Sequence, residues 1–174
     1  MQEMLWTMVM FQVAVVGRAS LLTSYFCPDL SDIYIPSDNA NIAADGLPKR
    51  IFITLRRWKG NEEGLMPPQE IVLRRNMANP EFCIVLTLMA WLSRAGITSG
   101  QIFPAMNKGH TDLYHGYTNQ SPCYRQWLKT LFKTMPPKYH KGTSHSIRKT
   151  TVKWAARCGK QTPSLHAHQV VSRH

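Results

Sequence analysis

Residues 143–160, TSHSIRKTTVKWAARCGK, set His145 and Arg148 three apart at the start of a run with helical spacing. On a helix that interval puts an imidazole and a guanidinium one turn apart on one face. Thr143 or Ser144 is suited to cap such a helix, and its first-turn N–H groups attract anions. A phosphate docked there meets a forked donor, a second donor able to move a proton, and the positive end of a helix dipole. No acid stands in the stretch. The same residues also suit an ordinary basic surface helix, so the rest of the chain has to separate the two.

Three further cations attract attention by their surroundings. Arg18, in VAVVGRASLL, is an isolated charge in an apolar run, where burial without an anion is costly; the alternative is a helix-end arginine lying along the core surface. Lys59, in LRRWKG, stands at the expected tip of a hairpin, where a mobile ammonium can reach a ligand as an acid. Arg56 and Arg57 compete with it for that role, and a solvated turn lysine is the plain alternative. His174 closes the chain in QVVSRH, about one helix beyond the His-x-x-Arg pair. His166 and His168 form an H-x-H pair, but no third Cys, His or acid stands near, so no metal site is expected.

The elements that must position these groups can be read from periodicity. Residues 3–26 read as a helix that is apolar nearly all round and therefore core, with Gly17 as a possible break. The run at its start is too short for a bilayer span and has no basic leader, so neither a membrane helix nor a signal peptide is expected. A turn-rich stretch follows, with one short strand at Ile33–Ile35. RIFITLRRWKG and QEIVLRRN are two β-rich runs joined by a long hairpin loop. PEFCIVLTLMAWLSRAG predicts a helix with Pro80 near its start and Gly96 past its end. Residues 97–123 read as irregular. YRQWLKTLFKTM predicts an amphipathic helix whose Trp127, Leu128, Leu131, Phe132 and Met135 face the core, with lysines opposite. Another helix is expected to begin at PSLHAHQVVSRH. The fold class that results is α+β, mostly α, with a small antiparallel sheet, in one domain spanning residues 1–174.

Charge bounds the partner. The 174 residues carry 21 Lys+Arg against 10 Asp+Glu, a formal charge of +11. Residues 1–80 are balanced, whereas residues 81–174 hold thirteen bases and only Glu81 and Asp112 as acids. Such a half needs a polyanion or must tolerate self-repulsion. Nucleic acid is the first candidate, an anionic membrane surface the second, and a basic structural or RNA-associated particle the third. Hydrophobic content of 44% excludes a disordered chain. Four cysteines with no CxxC pair fit reduced thiols in an intracellular protein better than a zinc ribbon or disulfide scaffold.

Taken in order, these stretches resemble the catalytic domain of the tyrosine recombinases, the phage-integrase-like family. The resemblance rests on Arg18 in GRASLL, the D-L-x-x-I strand start at Asp29–Ile33, Lys59 in RRWKG, His145 and Arg148 in HSIRKT, and His174 in SRH. AWLSRAGITSGQIFP followed by SHSIRK looks closest to eukaryotic mobile-element integrases of the DIRS or Crypton kind. The resemblance implies site-specific cleavage and rejoining of double-stranded DNA with no cofactor, by a homo-oligomer that is tetrameric in its synapse. It also implies nuclear localisation if the source is eukaryotic, cytoplasmic otherwise. By the same resemblance Arg18, Arg148 and the histidines hold the scissile phosphate. Lys59 protonates the leaving 5′ oxygen, and a tyrosine attacks to give a 3′-phosphotyrosyl link. The sequence departs from the family in four ways. His174 is the last residue, short of the family's attacking tyrosine; no N-terminal core-binding domain precedes the catalytic part; Leu21 stands where the family usually has an acid; and the gap between Arg148 and His174 is longer than is common in the family. The chain is therefore expected to be a truncated catalytic domain, inert as it stands, and an inactive DNA-binding remnant is the alternative.

Overall fold

The computed structural model describes residues 2–15, 22, 27–58, 61–106, 113–118 and 121–158. Among them are four helices, α1 (Gln2–Ala14), α2 (Ile84–Arg94), α3 (Ser121–Lys133) and α4 (Ser144–Cys158). Strands β1 (Ile33–Tyr34), β2 (Arg50–Leu55) and β3 (Gln69–Arg74) form an antiparallel sheet in that order. Strands β4 (Pro104–Met106) and β5 (Leu113–Thr118) pair separately as an antiparallel ribbon. The fold is thus mixed α and β, with a small three-stranded antiparallel sheet.

Helix α1 is apolar nearly all round because it is covered on more than one side, by α2 and by α4. Met4, Leu5, Met8, Met10 and Phe11 are all buried, and the Phe11 ring meets Phe103 edge-on at 5.8 Å. Thr7, also buried, satisfies its hydroxyl inside the helix by donating to the Glu3 carbonyl at 2.7 Å. The expected continuation of this helix toward residue 26, with Gly17, falls outside the described residues except for Val15 and the buried Leu22.

The sheet follows the period-two pattern of its sequence. Ile51, Ile53, Leu55, Ile71 and Leu73 are buried on one face, and the register pairs Ile51 with Leu73 and Ile53 with Ile71. Two asparagines fix the irregular chain around it. Asn41 donates to the carbonyls of Pro36 and Arg50 and accepts from the Arg50 N–H. Asn61 donates to the carbonyls of Arg56 and Met66 and accepts from the Met66 N–H. Each replaces ladder bonds that a loop lacks.

Helix α2 ends as its sequence predicts. Gly96 has φ +62°, and the N–H groups of Gly96 and Ile97 turn back to the carbonyls of Ser93 and Leu92. Its start differs: Pro80–Phe82 form a separate 3-10 turn, because Cys83 is extended (φ −93°, ψ 107°) and α2 begins after it. Trp91 locks α2 to the next segment, its indole N–H donating to the Ile102 carbonyl at 2.7 Å.

Two expectations are corrected. Residues 97–123 are not irregular throughout, since β4, β5 and the first residues of α3 lie there. The β-forming residues of LYHGYT were masked by Gly116 and by the turn formers just upstream. Met135 lies beyond the end of α3 and is 37% exposed, because Pro136 disfavours helical backbone just before it.

Arg75 donates to both carboxylate oxygens of Asp45, pinning the 41–48 turn to the end of β3. The Arg75 hydrogen bonds, with help from the Leu47 N–H, hold the Asp45 carboxyl at about 2, below its ordinary 3.8. A depressed acid stabilises the fold above its unfolded pKa and loses that contribution as pH falls through the folded one. Urea midpoints of the wild type and Asp45→Asn should therefore differ above about pH 4 and converge toward pH 2. A gap that does not change over that range would contradict the pairing.

Candidate functional site

The His145–Arg148 turn is positioned by three local devices. The first is a break. Pro136 stops α3, a 3-10 turn at Pro137–Tyr139 reverses the chain, and Gly142 passes over the ring of Phe132. A Cβ at Gly142 would lie 2.5 Å from that ring, so only glycine lets the chain come this close. The second is a cap. Thr143 Oγ1 accepts from the Ser146 N–H at 3.3 Å, and Ser146 Oγ accepts from the Thr143 N–H at 3.2 Å. This reciprocal pair makes Thr143 the N-cap, so that His145 falls in the first turn of α4.

The third is a buried polar tie. Gln12 of α1 donates through Nε2 to the Ser144 carbonyl at 2.9 Å, and its Oε1 accepts from the Tyr124 hydroxyl of α3 at 2.8 Å. Gln12 is 1% exposed and Tyr124 0%. Burial pushes the Tyr124 phenol well above its ordinary range, which keeps it a neutral donor. One amide therefore joins three helices at the point where the candidate turn begins. Sequence reading missed this tie. The available signal was a glutamine inside the apolar run MVMFQVAVV, which must find a partner once buried.

Beyond the turn, α4 docks through Ile147, which packs on the core, and through Thr151, which is 5% exposed and returns its hydroxyl to the Ile147 carbonyl. Arg148 is half-buried beside that seam, and His145 is exposed. The pair thus straddles the boundary between core and solvent. Lys129, Lys133, Lys138 and Lys141 are all exposed, Lys138 lying 5.0 Å from the Tyr139 ring. Trp127 and Phe132 are half-buried and pack against the core, as their helical stripe predicts.

Of the five predicted site residues, the structure places His145 and Arg148, one turn apart on α4. Arg18, Lys59 and His174 lie outside the described residues, as do His166 and His168. The flanks of Lys59 are described: the Asn61 N–H donates to the Trp58 carbonyl at 2.8 Å. Arg56 is committed elsewhere, its Nε donating to Asp32 at 2.6 Å. The Asp29–Ile33 stretch forms the expected strand entry, a 3-10 turn at Leu30–Asp32 running into β1, with Asp32 accepting from the Asp29 N–H. A hollow of about 220 Å³ lies between that turn and Thr54–Arg57. The Cys27 thiol at its wall is pushed up to about 12 by burial, so it is no nucleophile.

No helix among the described residues is long and apolar enough to cross a membrane. No family model, curated protein or solved structure matches the chain.

Gln12→Leu strips the buried Tyr124 hydroxyl of its acceptor and should cost about 1–3 kcal/mol of unfolding free energy. Adding Tyr124→Phe removes the stranded donor, so the double variant should be less destabilised than the two single losses summed. Urea unfolding of the four proteins checks this, and simple additivity would mean that the tie carries no coupling.

Proposed function

We propose that the chain is a tyrosine-recombinase-like catalytic domain whose substrate is double-stranded DNA and whose reaction is site-specific strand cleavage and rejoining. The observation that carries this reading is the His145–Arg148 turn at the capped, moored start of α4. That turn belongs to a half of the chain with thirteen bases and two acids. The order of elements supports it: an apolar helix, a D-L-x-x-I entry to a short strand, a hairpin, a second apolar helix, then the His-x-x-Arg helix.

In this reading the Arg148 guanidinium takes two non-bridging oxygens of the scissile phosphate in a forked contact, and the His145 imidazole donates to a third acceptor. Charge gathers on those oxygens as phosphorus becomes five-coordinate, and donors already fixed in place stabilise it without reorganising. Arg18 adds the second guanidinium and His174 a further donor. Lys59 gives its proton to the departing 5′ oxygen, which otherwise leaves as an unstable alkoxide. The attacking group is a tyrosine, and the phosphotyrosyl ester it forms conserves the bond for resealing. Lys129, Lys133, Lys138 and Lys141 contact the flanking backbone.

A second reading keeps the fold and the DNA but not the chemistry. It is favoured by Leu21, which occupies the place of the family's usual acid. Both readings require phosphate contacts, so affinity for a short duplex should fall about 100-fold or more between 50 and 200 mM salt. A flat response excludes DNA as the partner. The two readings part in the chain continued through the family's tyrosine and challenged with nicked duplex. There Arg148→Ala should abolish the covalent protein–DNA product on a denaturing gel, while Lys153→Ala should retain it. Equal loss in both variants would assign the effect to general charge.

A further inference from the structure

The outer face of the three-stranded sheet does not have the polar composition expected of a solvated face. Tyr34, Phe52 and Val72 stand in one row across β1, β2 and β3, because Tyr34 pairs with Phe52 and Phe52 with Val72. Tyr34 is 64% exposed, and Phe52 and Val72 are half-buried. The two rings lie 6.0 Å apart, inclined at 44°. Two residues along, Arg50 and Arg74 are directly opposite each other in the register, both exposed on that same face. Like charges so placed repel across a strand pair. Among the described residues neither arginine is ion-paired; Arg50 instead lies over Phe52, its Cζ 5.7 Å from the ring centroid. Glu70, the acid of this face, is two rows away from them, opposite Thr54.

We infer that this face binds an unpaired DNA strand, stacking bases on Tyr34 and Phe52 and receiving the backbone phosphate between Arg50 and Arg74. An aromatic row is complementary to exposed base faces, which a duplex hides within its own stack. Two opposed guanidiniums without a carboxylate are complementary to an anion with several oxygens, and a phosphate relieves their repulsion by accepting from both. The two-residue β1 at the edge leaves Tyr34 open to such a ligand. This face shares no residue with the α4 turn. The choice of DNA rests on the proposed function, whereas the stacking chemistry does not.

Fluorescence anisotropy with labelled oligo(dT), oligo(U) and a short blunt duplex tests the inference on the whole chain. Tyr34→Ala should weaken oligo(dT) binding about tenfold and leave the duplex within about twofold. Tyr34→Phe, which keeps the ring, should bind oligo(dT) like the wild type. The Arg50→Ala/Arg74→Ala double variant should bind it more weakly and with a shallower salt slope. Wild-type oligo(dT) affinity in Tyr34→Ala, or an equal loss for oligo(dT) and duplex, overturns the inference. Tighter binding of oligo(U) than oligo(dT) overturns the choice of DNA. Tyr34-dependent oligo(dT) binding by a protein that ignores duplex would sink the proposed function and leave the stacking face standing.

Discussion

The Gln12 side chain is the constraint on which the arrangement of helices depends. Burying an amide in an apolar helix is costly unless both its ends are satisfied, and here each end finds a different helix. The Tyr124 hydroxyl fixes how α3 rotates against α1, and the Ser144 carbonyl fixes where α4 begins. Apolar contacts alone would tolerate sliding of these helices by a fraction of a turn, whereas a hydrogen-bonded amide specifies one register. The Thr143–Ser146 cap and the Phe132–Gly142 contact then leave the chain little freedom in entering α4. The position of His145 and Arg148 is the sum of these constraints.

Charge divides the molecule differently from packing. The ion pairs Arg56–Asp32, Arg75–Asp45 and Arg94–Glu3 all lie before residue 95, where acids and bases are nearly balanced. They staple turns and helix ends, and because each keeps one partner open to solvent they contribute modestly. After Asp112 the chain has no acid at all, so that stretch carries a one-signed positive field. Such a field raises the encounter rate with a polyanion and orients it toward α3 and α4 before any specific contact forms. Folding in this half relies instead on apolar seams such as Leu128 and Ile147 and on neutral hydrogen bonds.

What could be read in the sequence was what repeats locally. The β2–β3 hairpin announced itself by alternation, β1 by its isoleucines, α2 by its apolar face and by Gly96 at its end, and α4 by the cap formers Thr143 and Ser144 ahead of a helical run. Each signal lies within a few residues of the element it specifies. The β4–β5 ribbon was hidden because its short strands are interrupted by glycine and turn formers, and its pairing is decided by partners rather than by either strand. Gln12 was hidden for a stronger reason: its partners lie 112 and 132 residues away, and no periodicity encodes such a distance. Of the candidate site, the His-x-x-Arg turn was legible because helical geometry alone places its two groups together. A convergence of Arg18, Lys59 and His174 upon it, which the proposed function requires, is not a local property, and spacing along the chain does not determine it.

The most direct measurement is a crystal structure of the protein on a DNA duplex, read at the phosphate nearest the start of α4. Arg18, Lys59, His145 and Arg148 should surround one phosphate, with the guanidinium nitrogens about 3 Å from its oxygens. Arg18 bound to a different phosphate or to none, with Arg148 turned away from the backbone, would contradict it.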